Sequence, residues 1–194
     1  MMTRRSSFFI SALLIILVLG LAQFFFGQRS STPASSSFPI PTDATPLVSP
    51  APILGVATKT SRCVSVDGLP DRGCTPGAID PRVTQDNLFE TICKKGYTAT
   101  VRPPVAYTNK LKRDQIIAYG YQDTNLRDYE EDHLVSLELG GAPSDPANLW
   151  PEYGGSPNAK DKIENLCNQK VCDGLISLHD AQVQIATDWH TACQ

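Results

Sequence analysis

The stretch EDHLVSLELGGAPSDPANLWPEYGGSPNAKDKIEN, residues 131–165, decides the fold. It opens on a short strand-like run that ends in Leu134, Val135 and Leu137, and then enters GGAPSDP, residues 140–146, whose glycines and prolines favour turns. A second apolar run, Asn148-Leu149-Trp150, follows. After Gly154 and Gly155, Ser156 is placed to cap a helix with Pro157 at its first position, and Ile163, Leu166 and Cys167 give that helix an apolar side. The order is strand, loop, strand, helix, which predicts an α+β fold.

The same stretch carries the chemistry. Asp132 and His133 are neighbours at a strand end, so their side chains diverge. The carboxylate can then hold a metal ion while the imidazole reaches for a water. A cation bound by oxygens stabilises charge on a leaving oxygen, and a neutral histidine with an ordinary pKa near ~6.5 can take a proton from the attacking water. That division of labour suits phosphodiester hydrolysis. Fourteen residues separate His133 from Asn148, and nine more separate Asn148 from Asn158.

In this order and spacing, Asp132-His133, the loop glycines Gly140-Gly141, Asn148-Leu149, and Asn158 with Lys160 resemble the HNH, or ββα-metal, nucleases. In that family two short strands and a helix clamp one metal ion. The resemblance covers about 35 residues and implies Asp132 and Asn158 as metal ligands, His133 as general base and Asn148 as the residue that braces the His133 segment. DHLVSLELGG followed by DPANLWPE is similar to small exported bacterial domains of HNH type. Two positions depart from the pattern: Ser136 stands where the family often has Pro, and Asn158 stands where it often has His. With only two protein ligands, a cation that keeps its waters is implied, so Mg²⁺ is the expected cofactor rather than Zn²⁺. The bland alternative for Asn158 is a helix cap.

All six cysteines, Cys63, Cys74, Cys93, Cys167, Cys172 and Cys193, lie after the linker, between Arg62 and Gln194. An even count in an exported domain predicts disulfides. Cys63 with Cys74 is the expected local pair, the other four joining the central and C-terminal parts. A zinc site from Cys167, Cys172, His179 and His190 is the rival, but its spacing departs from the usual finger and ribbon patterns. A final helix is expected from about Ser177, with Leu178, Ala181, Ile185 and Trp189 on one face and both histidines in surface or packing roles. Residues 83–121 read as apolar alternation broken by turns.

The rest of the 194-residue chain sets the context. Residues 8–26, FFISALLIILVLGLAQFFF, would span roughly 28 Å as a helix, enough for a bilayer core. Arg4 and Arg5 precede the run and only Arg29 closely follows it, which predicts a cytoplasmic N-terminus and an exported remainder. The apolar run continues as Phe24-Phe25-Phe26 past the small-residue site Gly20–Ala22, which reads as an uncleaved signal anchor. The expected organisation is therefore a transmembrane anchor over 1–29, a Pro/Ser/Thr-rich linker over 30–61 and a disulfide-stabilised, HNH-like extracytoplasmic domain over 62–194. That domain holds 13 Lys and Arg against 19 Asp and Glu, a balance of −6 that repels a polyanion at long range. Against this, residues 94–113 hold six basic and no acidic residues. Lys94, Lys95, Arg102, Lys110, Lys112 and Arg113, interspersed with Tyr97 and Tyr107, form a candidate nucleic-acid strip. The expected activity is metal-dependent endonuclease cleavage of DNA or RNA outside the cytoplasm. The alternatives are a non-catalytic exported binding domain on the same scaffold and a hydrolase with a cysteine nucleophile.

Overall fold

The β1 strand, Tyr129–His133, and the β2 strand, Leu149–Tyr153, pair antiparallel with Tyr129 opposite Tyr153 and His133 opposite Leu149. These belong to a computed structural model that describes residues 54–194. The expected membrane span and residues 30–53 of the linker lie outside the described residues. Within them the chain is α+β. Two helices, α1 (Tyr97–Val101) and α2 (Val105–Ala118), precede the hairpin, and two more, α3 (Ala159–Cys172) and α4 (Leu178–Asp188), follow it.

The connection between the strands is tight because glycine permits it. A 3-10 turn over Leu137–Leu139 ends at Gly140, whose φ of +73° suits a residue without Cβ. A Cβ on the next residue, Gly141, would lie 1.7 Å from the carbonyl oxygen of Val135, so only glycine fits. Helix α3 starts at a capping box: Asn158 Oδ1 accepts from the backbone N–H groups of Lys160 and Asp161, while Asp161 Oδ2 accepts from the Asn158 N–H. Helix α4 begins where expected, Ser177 Oγ accepting from the Asp180 N–H, and buries Leu178, Ala181, Gln182, Ile185 and Ala186 at helical spacing.

The core gathers Leu134, Val135, Leu139 and Trp150 from the hairpin with Cys167 and Val171 of α3 and Ile185 of α4. Each fully buried aliphatic side chain contributes about 1.5–3 kcal/mol through removal from water. Three disulfides fasten this core: Cys63–Cys74, Cys93–Cys172 and Cys167–Cys193. The local pair is the expected one, and the other two anchor α3 at its middle and end.

Several boundaries differ from the sequence reading. Strand β1 ends at His133, before Leu134-Val135, because Asn148 takes over the hydrogen bonds of those residues. Helix α3 is capped by Asn158 and not by Ser156, since the Asn158 side chain reaches two free N–H groups. Residues 97–118 are helical, not alternating strand, with two prolines, Pro103 and Pro104, separating α1 from α2. The fold also reaches back before Arg62: Leu54 packs on the core, and Lys59 pairs with Asp71 at 2.7 Å.

Candidate functional site

A cavity of about 230 Å³ opens beside the C-terminal end of β1. Asp132, His133, Glu130, Glu164, Arg102 and Thr98 are among the residues that line it. The strand end thus delivers the Asp-His pair to a cleft closed on its other sides by α1, the 3-10 turn and α3.

His133 is buried, and its Nε2 lies 2.9 Å from the carbonyl oxygen of Pro143. A carbonyl only accepts, so the neutral ring carries its proton on Nε2 and keeps Nδ1 as the basic atom. Burial pushes the His133 pKa below its ordinary value, partly countered by the Pro143 contact and by Asp132. The ring is therefore a neutral base at pH 7.

Asn148 holds this segment in place. It is fully buried, its Oδ1 accepts from Val135 N–H at 2.9 Å, and its Nδ2 donates to the carbonyls of Val135 and Ala142 at 2.9 and 3.1 Å. Its own carbonyl accepts from Leu134 N–H at 2.8 Å. One amide side chain thereby joins both ends of the inter-strand connection.

The cleft is acidic. Glu130 Oε2 is buried without a hydrogen-bond partner, as are both carboxyl oxygens of Glu131. Burial raises the Glu130 pKa, with Asp132 adding to the effect, and pushes Glu131 up to about 8. Glu152, opposite Glu130 in the hairpin, is pushed up to about 7 by burial and then by Asp132. Glu138 is raised by burial as well. The side chain of Lys160, 1% exposed, ends with its ammonium 2.8 Å from Asp132 Oδ2, 2.8 Å from the His133 carbonyl and bonded to Glu164 Oε1. Burial opposes the charge on Lys160, but Asp132 and Glu164 more than offset it and the net shift is upward.

The residues expected to act together are thus partly assembled. Asp132 and His133 share the cleft, and Asn148 braces it. Asn158 stands otherwise than expected of a ligand: its oxygen is taken by two backbone N–H groups of α3, and its Nδ2 donates to Glu152 at 3.2 Å. Of the basic strip, Lys94, Lys95, Arg102, Lys110 and Arg113 are exposed, and among these Arg102 lines the cleft. Lys112 does not belong to that strip; it is buried, donating to the carbonyls of Leu126 at 3.0 Å and Tyr129 at 2.6 Å. The zinc alternative falls because Cys167 and Cys172 are both in disulfides, and no cysteine is left free for a nucleophile. His179 is exposed; His190 is also exposed and stacks on Trp189.

Glu164 is the member of the site that sequence reasoning missed, and Lys160, quoted with Asn158, was given no role there. Their signal was present: Lys160 lies three, seven and eleven positions before Ile163, Cys167 and Val171, on the inward face of α3. A lysine there must meet buried acceptors, and Glu164 stands one turn on.

The chain matches no protein-family model, no curated protein and no solved structure.

Proposed function

We propose that this domain is an HNH-type phosphodiester hydrolase acting on nucleic acid, with β1, β2 and α3 as its ββα unit. The observation that carries the reading is a buried histidine whose Nε2 is anchored on a loop carbonyl and whose neighbour Asp132 lines the same cleft. His133 Nδ1 takes the proton of the attacking water. Arg102 meets the non-bridging phosphate oxygens. Asn148 keeps the His133 segment in position while the proton moves.

A hard divalent cation such as Mg²⁺ fits this cleft by its donors, which are carboxylate oxygens. Asp132 Oδ2 forms an ion pair with Lys160 but has no hydrogen-bond partner, and Glu130 Oε2 likewise has none. Asp132 and Glu130 are then the holding residues, in place of the expected pair Asp132 and Asn158. When bound, the ion supplies charge stabilisation at the leaving oxygen. The disulfides suit an oxidising, extracytoplasmic setting, to which the apolar run 8–26 would anchor the chain.

Incubation of the protein with plasmid DNA and with RNA, with Mg²⁺ or EDTA, tests the reading. Cleavage is expected with Mg²⁺ and should fall by about 10²–10⁴-fold in His133→Ala. Circular dichroism should show that variant folded. Undiminished cleavage by folded His133→Ala would refute the mechanism.

A further inference from the structure

Neither the general base nor the helix cap accounts for the ammonium of Lys160, buried against Asp132 and Glu164 of the cleft lining. Lys160 donates to the His133 carbonyl and to Glu164 Oε1, and its ammonium forms an ion pair with Asp132 Oδ2 at 2.8 Å. A buried charge with its acceptors in place is fixed, because leaving any of them exposes an unpaired charge to a medium that solvates it poorly. Two carboxylates converging on one positive centre, with a backbone carbonyl as a third oxygen, also make a donor set that suits a hard metal ion.

We propose that Lys160 is the resident cation of the cleft, a positioning residue that occupies the place between Asp132 and Glu164 that a divalent ion would otherwise take. It grips the Asp132-His133 dipeptide twice, by the side-chain oxygen of the first residue and the backbone carbonyl of the second. Asp132 Oδ2 is thereby held against the ammonium, and the carboxylate keeps its orientation beside His133. The pair is thus ordered before any ion or substrate arrives, which spares the reaction a reorganisation. Lysine serves here because its charge sits at the end of a long apolar stem that can run through the core from α3. The inference rests on the hydrolase reading for its consequence, since ordering matters only if the pair reacts.

The test uses the full chain with its disulfides intact and Mn²⁺ as the probe ion. Lys160→Met keeps the stem and removes the charge, leaving Asp132 and Glu164 to repel one another. The variant should melt below the wild type in EDTA. Saturating Mn²⁺ should raise its melting temperature on the order of 5 °C beyond any rise in the wild type. The double variant Lys160→Met/Glu164→Gln should lose that excess, because one carboxylate no longer makes a pair. Equal Mn²⁺ shifts in wild type and Lys160→Met overturn the proposal, as does an excess that survives in the double variant. If Lys160→Met is unfolded in EDTA, folding on addition of Mn²⁺ supports the proposal and failure to fold at any Mn²⁺ concentration overturns it. No readout depends on cleavage, so the resident cation can fail while the hydrolase stands, and the reverse.

Discussion

Glu131 and His133 lie on one strand, two residues apart, and burial displaces them in opposite senses. The Glu131 carboxyl is pushed up to about 8, while the His133 imidazole is pushed down. Glu131 binds its proton more tightly in the folded state than in the unfolded state. Its contribution to stability is therefore fully present below the unfolded-state value near ~4.5 and is lost as pH rises through about 8. For His133 the sign reverses: the folded protein prefers the neutral ring, so stability is lost as pH falls below the ordinary value near ~6.5. The two residues together favour mildly acidic to neutral pH. Glu131→Gln removes this residue's share of the alkaline arm, to which Glu152, pushed up to about 7, also contributes. Its stability relative to wild type should grow by about 2–4 kcal/mol between pH 5 and pH 9, read from urea midpoints at several pH values. A difference that stays constant with pH would show that Glu131 is not the group that ionises.

At the scale of elements, the basic strip expected as one surface is divided by helix geometry. Lys110, Lys112 and Arg113 all belong to α2, yet Lys112 turns inward beside Ile116 while Lys110 and Arg113 face solvent, and Lys110 pairs with Asp114 at 3.0 Å. Arg102, at the end of α1, faces the cleft. Arg102→Ala should weaken binding to an oligonucleotide about tenfold and reduce the salt slope by about 0.7–0.9, the mark of one lost phosphate contact. Lys112→Ala should leave that slope unchanged and cost about 1–3 kcal/mol for its abandoned backbone carbonyls. Fluorescence anisotropy at several salt concentrations separates the two. The hairpin, the helix after it and α4 were legible because turn residues and caps mark their ends locally. The helical state of residues 97–118 was not, since α2 gathers most of its apolar residues at its two ends, around Lys, Thr, Asn and Gln, rather than along one face. That Asp132 and His133 stand side by side at a strand end was legible from the residues themselves. The pair's coupling to Lys160 was not, because the register of α3 against β1 is set by packing across the core, which local pattern does not report.

At the scale of the whole molecule, α3 connects the cleft to the cross-links. Its first two turns carry Lys160 and Glu164, and its later turns carry Cys167 and Cys172, bonded to Cys193 and Cys93. The helix that supplies the buried ammonium is thus fixed at its far end to the C-terminus and to the segment before α1. The Cys93–Cys172 bridge closes a sequence separation of 79, against 11 for Cys63–Cys74. On the chain-entropy account, the longer loop restrains the unfolded chain more, by about 4.5 kcal/mol against about 3 kcal/mol. Either is a large share of a net stability of about 5–15 kcal/mol for a domain. Cys93→Ser/Cys172→Ser should therefore lower the unfolding free energy more than Cys63→Ser/Cys74→Ser, with guanidinium midpoints as the measure. The reverse order would mean that native-state packing at the short bridge, rather than restraint of the unfolded chain, dominates. The long bridge also has a local consequence that the short one lacks. Its loss loosens the C-terminal end of α3, and with it the hold of Lys160 on the Asp132-His133 pair. In the folded fraction of the long-bridge variant, the ring protons of His133 should broaden or shift in the NMR spectrum, while in the short-bridge variant they should keep their wild-type positions.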